Sequence, residues 1–259
     1  MAQTQDDRMT QNHPKKIWLT GASSGIGHAL AQELLKQGHS LALTARQAAP
    51  LTLLTQAYPN QVLVVTADLT VFEQVHAVAQ RIEQQWGGLD MAILNAGTCE
   101  YIDAAHFEAA MLERVMRTNF IATAYCIEAA LPLLRQGSKP QLVATSSSAT
   151  YFPLPRAGAY GASKAAMDYL LASLRLDLMR EDIAVTTIHP GFVDTPLTRR
   201  NDFAMPMRWS SERAAQYIAK RIHKRPFEIN FPRTFVGILK LLACLPLRLQ
   251  TAIGSRMNP

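Results

Sequence analysis

The stretch from Ser146 to Lys164 holds three polar groups whose types and spacing allow proton transfer: the Ser147 hydroxyl, the Tyr160 phenol and the Lys164 ammonium. Tyr160 and Lys164 are four residues apart, so on a helix they share a face. A free phenol titrates near pH ~10, too high for efficient proton exchange at neutral pH. A nearby cation stabilises the phenolate, so Lys164 is expected to lower that value. Ser147 can donate a hydrogen bond to a substrate oxygen as charge builds on it. The competing reading is a surface Tyr–Lys pair beside a serine-rich turn, and the remainder of the chain decides between the two.

These groups need a strand and a helix to hold them. Gln141 to Thr145 reads as a buried strand. Ala159 to Arg180 reads as a helix with apolar positions at Ala162, Ala165, Ala166, Tyr169, Leu170 and Leu174. Around that pair the chain alternates. Strands are predicted at Lys16–Thr20, Ser40–Thr44, Gln61–Thr66, Asp90–Leu94, Ile183–His189 and Phe227–Phe231. Helices are predicted after Ile26, over Leu51–Ala57, from the capping-box pattern Thr70-Val71-Phe72-Glu73 to about Gln85, and as one long region over Ala105–Leu134. Such alternation predicts an α/β fold: a doubly wound parallel sheet in three layers, in a single domain. The regular pattern lapses from Pro190-Gly191 to about Ser211. The segment Thr195–Met207, with Phe203 and Met205, reads equally as a mobile lid over an apolar substrate or as an ordinary connection.

The run Gly21-Ala22-Ser23-Ser24-Gly25-Ile26-Gly27 follows a strand and opens a helix, the context of a dinucleotide-phosphate site. Gly21 permits a tight turn, and Gly25 and Gly27 permit close backbone approach. Where the second strand ends, an acidic residue would bind a free ribose 2′-hydroxyl. Here Ala45 is followed by Arg46, a planar fork suited to a 2′-phosphate. That predicts NADP, with NAD as the alternative.

Taken together, Thr20 to Gly27, Asp68-Leu69, Asn95-Ala96-Gly97, Asn119, Ser147, Tyr160-Gly161-Ala162-Ser163-Lys164 and Pro190-Gly191 resemble, in order and spacing, the classical short-chain dehydrogenases/reductases. The resemblance covers roughly Lys16 to Arg225. It implies a Rossmann fold and NAD(P)-dependent hydride transfer between a carbonyl and an alcohol. It implies Tyr160 as acid/base, Ser147 orienting the carbonyl, Lys164 holding the nicotinamide ribose and tuning Tyr160, and Asn119 positioning a water. The cofactor would touch Gly21, Ser23, Ser24, Gly25, Ile26, Gly27, Arg46, Asp68, Leu69, Asn95, Ala96, Gly97, Tyr160, Lys164, Pro190, Gly191, Val193 and Thr195. Leu94 and Thr118 depart modestly from the family pattern. A homodimer or homotetramer is implied, through Ala105–Leu134 and Ala159–Arg180.

Composition limits the remaining classes. The 259 residues are 48% hydrophobic and 18% charged, with a net charge of +6. Residues 1–14 read as a flexible leader, 15–232 as the catalytic domain and 233–259 as an apolar extension interrupted by Pro246. That extension reads as a subunit contact, a wall of the substrate pocket or, less favoured, a peripheral membrane contact. Cys99, Cys126 and Cys244 form no zinc spacing or disulfide framework, and no signal segment is evident, so a cytoplasmic setting and no metal are expected. The basic cluster Lys220–Arg225 reads as a solvated helix face rather than a nucleic-acid site. Phe152, Leu154, Phe192, Phe203 and Met205 point to an apolar carbonyl or alcohol substrate. The alternative function is a catalytically silent nucleotide-binding sensor or scaffold.

Overall fold

The computed structural model describes residues 13–257, so nearly all of the expected leader lies outside the described residues. The chain begins β1 (Lys16–Thr20), α1 (Gly25–Lys36), β2 (Ser40–Ala45), α2 (Thr52–Ala57), β3 (Val62–Thr66), α3 (Phe72–Trp86) and β4 (Met91–Leu94). It continues through α4 (Ala109–Met116), α5 (Ala122–Leu134), β5 (Gln141–Thr145), α6 (Gly158–Leu178) and β6 (Ala184–Pro190). A small parallel pair, β7 (Val193–Asp194) and β8 (Trp209–Ser210), brackets the segment read as a lid or connection. Then come α7 (Ser211–Ile222), β9 (Glu228–Phe231), α8 (Arg233–Ala243) and α9 (Leu247–Ser255).

Seven strands form one parallel sheet in the order β3-β2-β1-β4-β5-β6-β9. The chain builds outward from β1 to β3, then returns to place β4 on the other side of β1. Ligands of such sheets sit where the order reverses, beyond the carboxyl ends of the strands. Here that point lies between Thr20 and Leu94. Both sheet faces are covered, which is why β2 and β4 read as continuous apolar runs rather than alternating ones. Alternation survives in direction only. Ile17 and Leu19 of β1 join Leu30, Leu34, Ile218 and Ile222 on the α1/α7 face. Trp18 joins Val75, Ile82, Ile127 and Leu171 on the α3/α5/α6 face, with its indole donating to Thr44 Oγ1 at 2.9 Å. Each such aliphatic side chain contributes about 1.5–3 kcal/mol by leaving water.

Several local expectations are corrected. The capping box at Thr70 does not form: α3 starts at Phe72 after Val71, and the Thr70 hydroxyl instead donates to Asp68 Oδ1 at 2.7 Å. The long helix over Ala105–Leu134 is broken into a 3-10 turn at Ala104–His106, then α4, a π-helical turn at Arg117–Ile121, and α5. The buried stripe of α6 is Ala159, Ser163, Lys164, Met167, Leu171 and Leu178, whereas Tyr169 is 82% exposed. The apolar periodicity of α6 is therefore two-sided, and the face carrying Lys164 is the one turned inward.

His39, between α1 and β2, is buried, and its Nδ1 accepts from the Lys15 amide at 3.1 Å. Burial pulls its pKa down to about 4, with help from His223 and Lys15. The unfolded imidazole binds a proton near pH ~6.5. Below that value the unfolded state holds more protons, so stability falls as pH drops toward about 4. Urea unfolding should show wild type losing on the order of 2 kcal/mol more than His39→Gln across this window. Parallel profiles would refute that role.

Candidate active site

Ser147 leaves the end of β5 in extended backbone, and its Oγ accepts from the Ala149 amide at 3.1 Å. The Tyr160 phenol, in the first turn of α6, lies close enough to the Ser147 hydroxyl to be influenced by it. Of the neighbouring serines, Ser146 is turned toward the α6 backbone, 3.5 Å from the Lys164 carbonyl. Lys164 is buried one turn beyond Tyr160, its Nζ 5.9 Å from the phenol ring centroid and donating to the Thr145 carbonyl at 2.7 Å. The three predicted groups therefore meet in one place.

Their electrostatics differ from the expectation. Burial pushes the Tyr160 phenol up to about 12, with the Ser147 hydroxyl acting against it. Burial also draws the Lys164 ammonium down to about 8, with the negative charge of Asp168 opposing. Desolvation disfavours both charged forms and dominates at each group. The neutral phenol is thus a proton donor at rest. Asp168 lies a further turn along α6, and its Oδ2 meets Nε2 of the buried His189 at 3.1 Å. The sequence reading missed this pair, although its helical spacing of four from Lys164 was a usable signal.

Asn119 sits in the π-helical turn and is fully buried. Its Oδ1 accepts from the Thr98 amide at 2.7 Å, and its Nδ2 donates to the Thr98 carbonyl and to Ser163 Oγ, both at 2.9 Å. These bonds are not local: they fasten α6 and the π turn to the loop after Gly97. The wider π turn is a feature common at functional sites.

The glycine run lies across the switch point. Gly21 and Gly25 adopt φ of +66° and +55°, the left-handed region that favours glycine. A Cβ on Gly27 would lie 2.2 Å from the Gly21 carbonyl, and one on Gly21 would lie 2.8 Å from Ala96 Cα. Ser24 precedes α1 in extended backbone without capping by its side chain, so the first amides of α1 keep their donors for a ligand. Thr20 Oγ1 accepts from the amides of Asn95 and Ala96 at 3.0 and 3.2 Å. The Thr145 hydroxyl donates to Asn95 Oδ1 at 3.1 Å. Asn95 thereby ties the ends of β1, β4 and β5 together. The side-chain bonds of Thr20 and Thr145, each the last residue of its strand, were not read from sequence. Arg46 is exposed at the end of β2, and its charge reaches Asp68, whose carboxyl is held low chiefly by its bonds to Thr70.

A family model described as short chain dehydrogenase matches residues 15–204. The chain belongs to this family. Among its relatives, an uncharacterized oxidoreductase of Myxococcus xanthus is 31% identical over 93% of this chain and 96% of its own length. An 11-beta-hydroxysteroid dehydrogenase 1A of Arabidopsis thaliana is 35% identical over 73% of this chain, which spans 55% of that protein. A solved alcohol dehydrogenase of Thermococcus sibiricus, complexed with 5-hydroxy-NADP, shares the fold with a TM-score of 0.74 at 22% identity, covering 83% of this chain and 94% of that one. The protein is accordingly an NAD(P)-dependent dehydrogenase/reductase.

This short-chain dehydrogenase has a crevice that fits such a cofactor. Its floor is backbone at the glycines, and any side chain at Gly97 would stand 3.5 Å from Lys164 Nζ. Thr195 crosses over the glycine run, its Cγ2 lying 3.0 Å from where a Gly25 Cβ would be. The Val193 side chain is buried in the core. Ile26 and Leu69 pack partly against the core. Pro190 closes β6, and the Gly191 amide donates to the Phe231 carbonyl at 2.6 Å.

A chain of aromatic rings runs from Tyr101 to α8 of the short-chain dehydrogenase. Tyr101 and Phe203 meet edge to face at 5.5 Å, Phe203 and Phe192 at 6.1 Å, and Phe192 and Phe235 at 5.5 Å. The lid or connection is held down by Tyr101, whose hydroxyl donates to Asn201 at 2.8 Å, and by Arg156, which pairs with Asp202 at 2.9 Å. Phe152, read as a pocket residue, is instead buried in the core. Phe235 places α8 against Gly191 and Phe192, so the apolar extension packs on this chain of rings.

Proposed function

We propose that this short-chain dehydrogenase reduces an apolar carbonyl with NADPH, using Tyr160 as proton donor. The observation carrying this reading is the gathering of Ser147, Tyr160 and the buried Lys164 at the carboxyl end of β5. Ser147 donates a hydrogen bond to the substrate oxygen, strongest as that oxygen becomes an alkoxide. A bound nicotinamide supplies the hydride to the carbonyl carbon. The Tyr160 O–H bond then breaks, its proton passing to the alkoxide. Lys164 stabilises the phenolate left behind and holds the ribose edge of the crevice. Asn119 holds the Thr98 loop and the Lys164 turn in register, with Asn95 doing the same for the strand ends. The reverse reaction uses the same groups in reverse.

Arg46 supports NADP over NAD, since Ala45 leaves no carboxylate at the end of β2 to repel a 2′-phosphate. Arg46→Ala should raise the KM for NADPH about 10–150-fold, the loss of a charge-assisted hydrogen bond, and leave that for NADH little changed. Equal effects would remove the assignment. The ring chain from Tyr101 to Phe235 favours a bulky apolar ketone. The exposed Tyr169, Leu176 and Met179 on and after α6 favour a homo-oligomer through that helix. Among the described residues no helix is long and apolar enough to cross a membrane.

A further inference from the structure

The charge of this chain is unevenly placed. Residues 207–257 carry ten Lys/Arg and two Asp/Glu, whereas the whole chain is only +6, so the remainder is net acidic. Five of those cations, Arg208, Arg213, Lys220, Arg221 and Arg233, line one groove between α7, the turn before β8 and the start of α8, and no acidic residue lines it. Among the described residues none of the five is in an ion pair; the cations that are, such as Lys240 with Glu228 and Arg225 with Asp182, lie elsewhere. Two are fixed by stacking: the Arg213 guanidinium lies 4.1 Å from the Trp209 ring centroid, and that of Arg221 lies 3.5 Å from Tyr217's. Arg208 is the one of the five whose charge reaches a carboxylate, that of Asp194; like charges gathered in one groove repel one another, and an anionic surface relieves that repulsion.

An apolar face adjoins the groove. Thr234, at the groove's edge, shares one face of α8 with Ile238 and Leu241, and Leu241 is 68% exposed. Gln250 Nε2 then holds α9 onto the end of α8 through the Ala243 and Leu245 carbonyls. Leu247, 76% exposed, and Leu249 stand at its start beside Arg248. Residues 233–257 contain no acidic side chain at all.

We infer that α8, α9 and the α7 groove form a docking surface for an anionic lipid bilayer. The leucines enter the acyl boundary while the groove cations meet lipid phosphates, the two-signal combination that gives stable peripheral binding. A second copy of this chain fits less well, because a two-fold contact would set the same cations against each other. A nucleic acid would satisfy the cations and leave the leucines in water. Tyr160 is not part of this surface, so Tyr160→Phe should dock as wild type does.

Cosedimentation with vesicles tests this. The full chain should pellet with phosphatidylcholine/phosphatidylglycerol vesicles, release at high salt, and stay in solution with phosphatidylcholine alone. Lys220→Gln and Arg213→Gln should each lower the partition coefficient about fivefold, with activity on a water-soluble ketone unchanged. Leu241→Asn and Leu247→Asn should each lower it about tenfold or more. The inference is overturned if the folded wild type ignores anionic vesicles, or binds neutral ones equally well. It is also overturned if a short nucleic-acid duplex binds where vesicles do not, or if Leu241→Asn splits an oligomer on sizing.

Discussion

Tyr160→Phe should lower kcat about 10²–10⁴-fold while leaving NADPH binding, read by fluorescence titration, close to wild type. The substitution removes one oxygen and the proton it carries. The ring, its backbone and the Lys164 bond to Thr145 all remain. Because burial keeps the phenol protonated well past neutral pH, the wild-type reduction rate should not fall off through Tyr160 ionisation at any pH below about 10. A variant that retains turnover within tenfold would move the proton donor elsewhere. In that event the Tyr101 hydroxyl, joined to Asn201 in the same aromatic wall, is the next group to remove.

Lys164→Met should affect both catalysis and stability, in ways that separate by pH. Loss of the cation should cost kcat about 10²–10³-fold, as for other preorganised charges at a reacting oxygen, and should raise the NADPH KM. Its stability effect follows from the depressed value of about 8 in the folded protein, against about 10.4 unfolded. Between those values the unfolded state holds more protons, so wild-type stability should rise with pH across that window. The gain should reach about 2 kcal/mol from about pH 8 to about pH 10, measured by urea unfolding without cofactor. Lys164→Met should lack that rise. Above about pH 10 Tyr160 begins to act in the opposite sense, because its folded value lies above its unfolded one, so the comparison belongs below that point. Superimposable profiles for the two proteins would mean that Lys164 is not buried as a cation.

Much of the site was legible because the chemistry depends on short spacings. A spacing of four from Tyr160 to Lys164 places them on one side of any helix, and a strand that ends just before Ser147 delivers it to the same rim. The glycine run was legible for a steric reason, borne out by the clash any Cβ on Gly21 or Gly27 would make. What misled was local pattern without its neighbours. The Thr70 signature resembles a cap, but Asp68 is nearer to its hydroxyl than the helix amides are. Tyr169 and Leu170 carry helical periodicity, yet α6 has apolar residues on two sides, and only packing against β5 and β6 selects which is inward.

The sequence by itself determined the parallel α/β order, the glycine turn and the gathering of Ser147, Tyr160 and Lys164 at one strand end. Those follow from periodicity, from φ preferences and from side-chain chemistry, all of which act over a few residues. Tertiary structure alone decided the direction of the Tyr160 and Lys164 shifts, the Asp168–His189 pair and the seating of Asn119 on Thr98. It also set the turn of α8 that puts Phe235 against Gly191 and Leu241 in solvent. Desolvation and long-range contact depend on which segments come to lie against one another, and no local spacing in the chain encodes that.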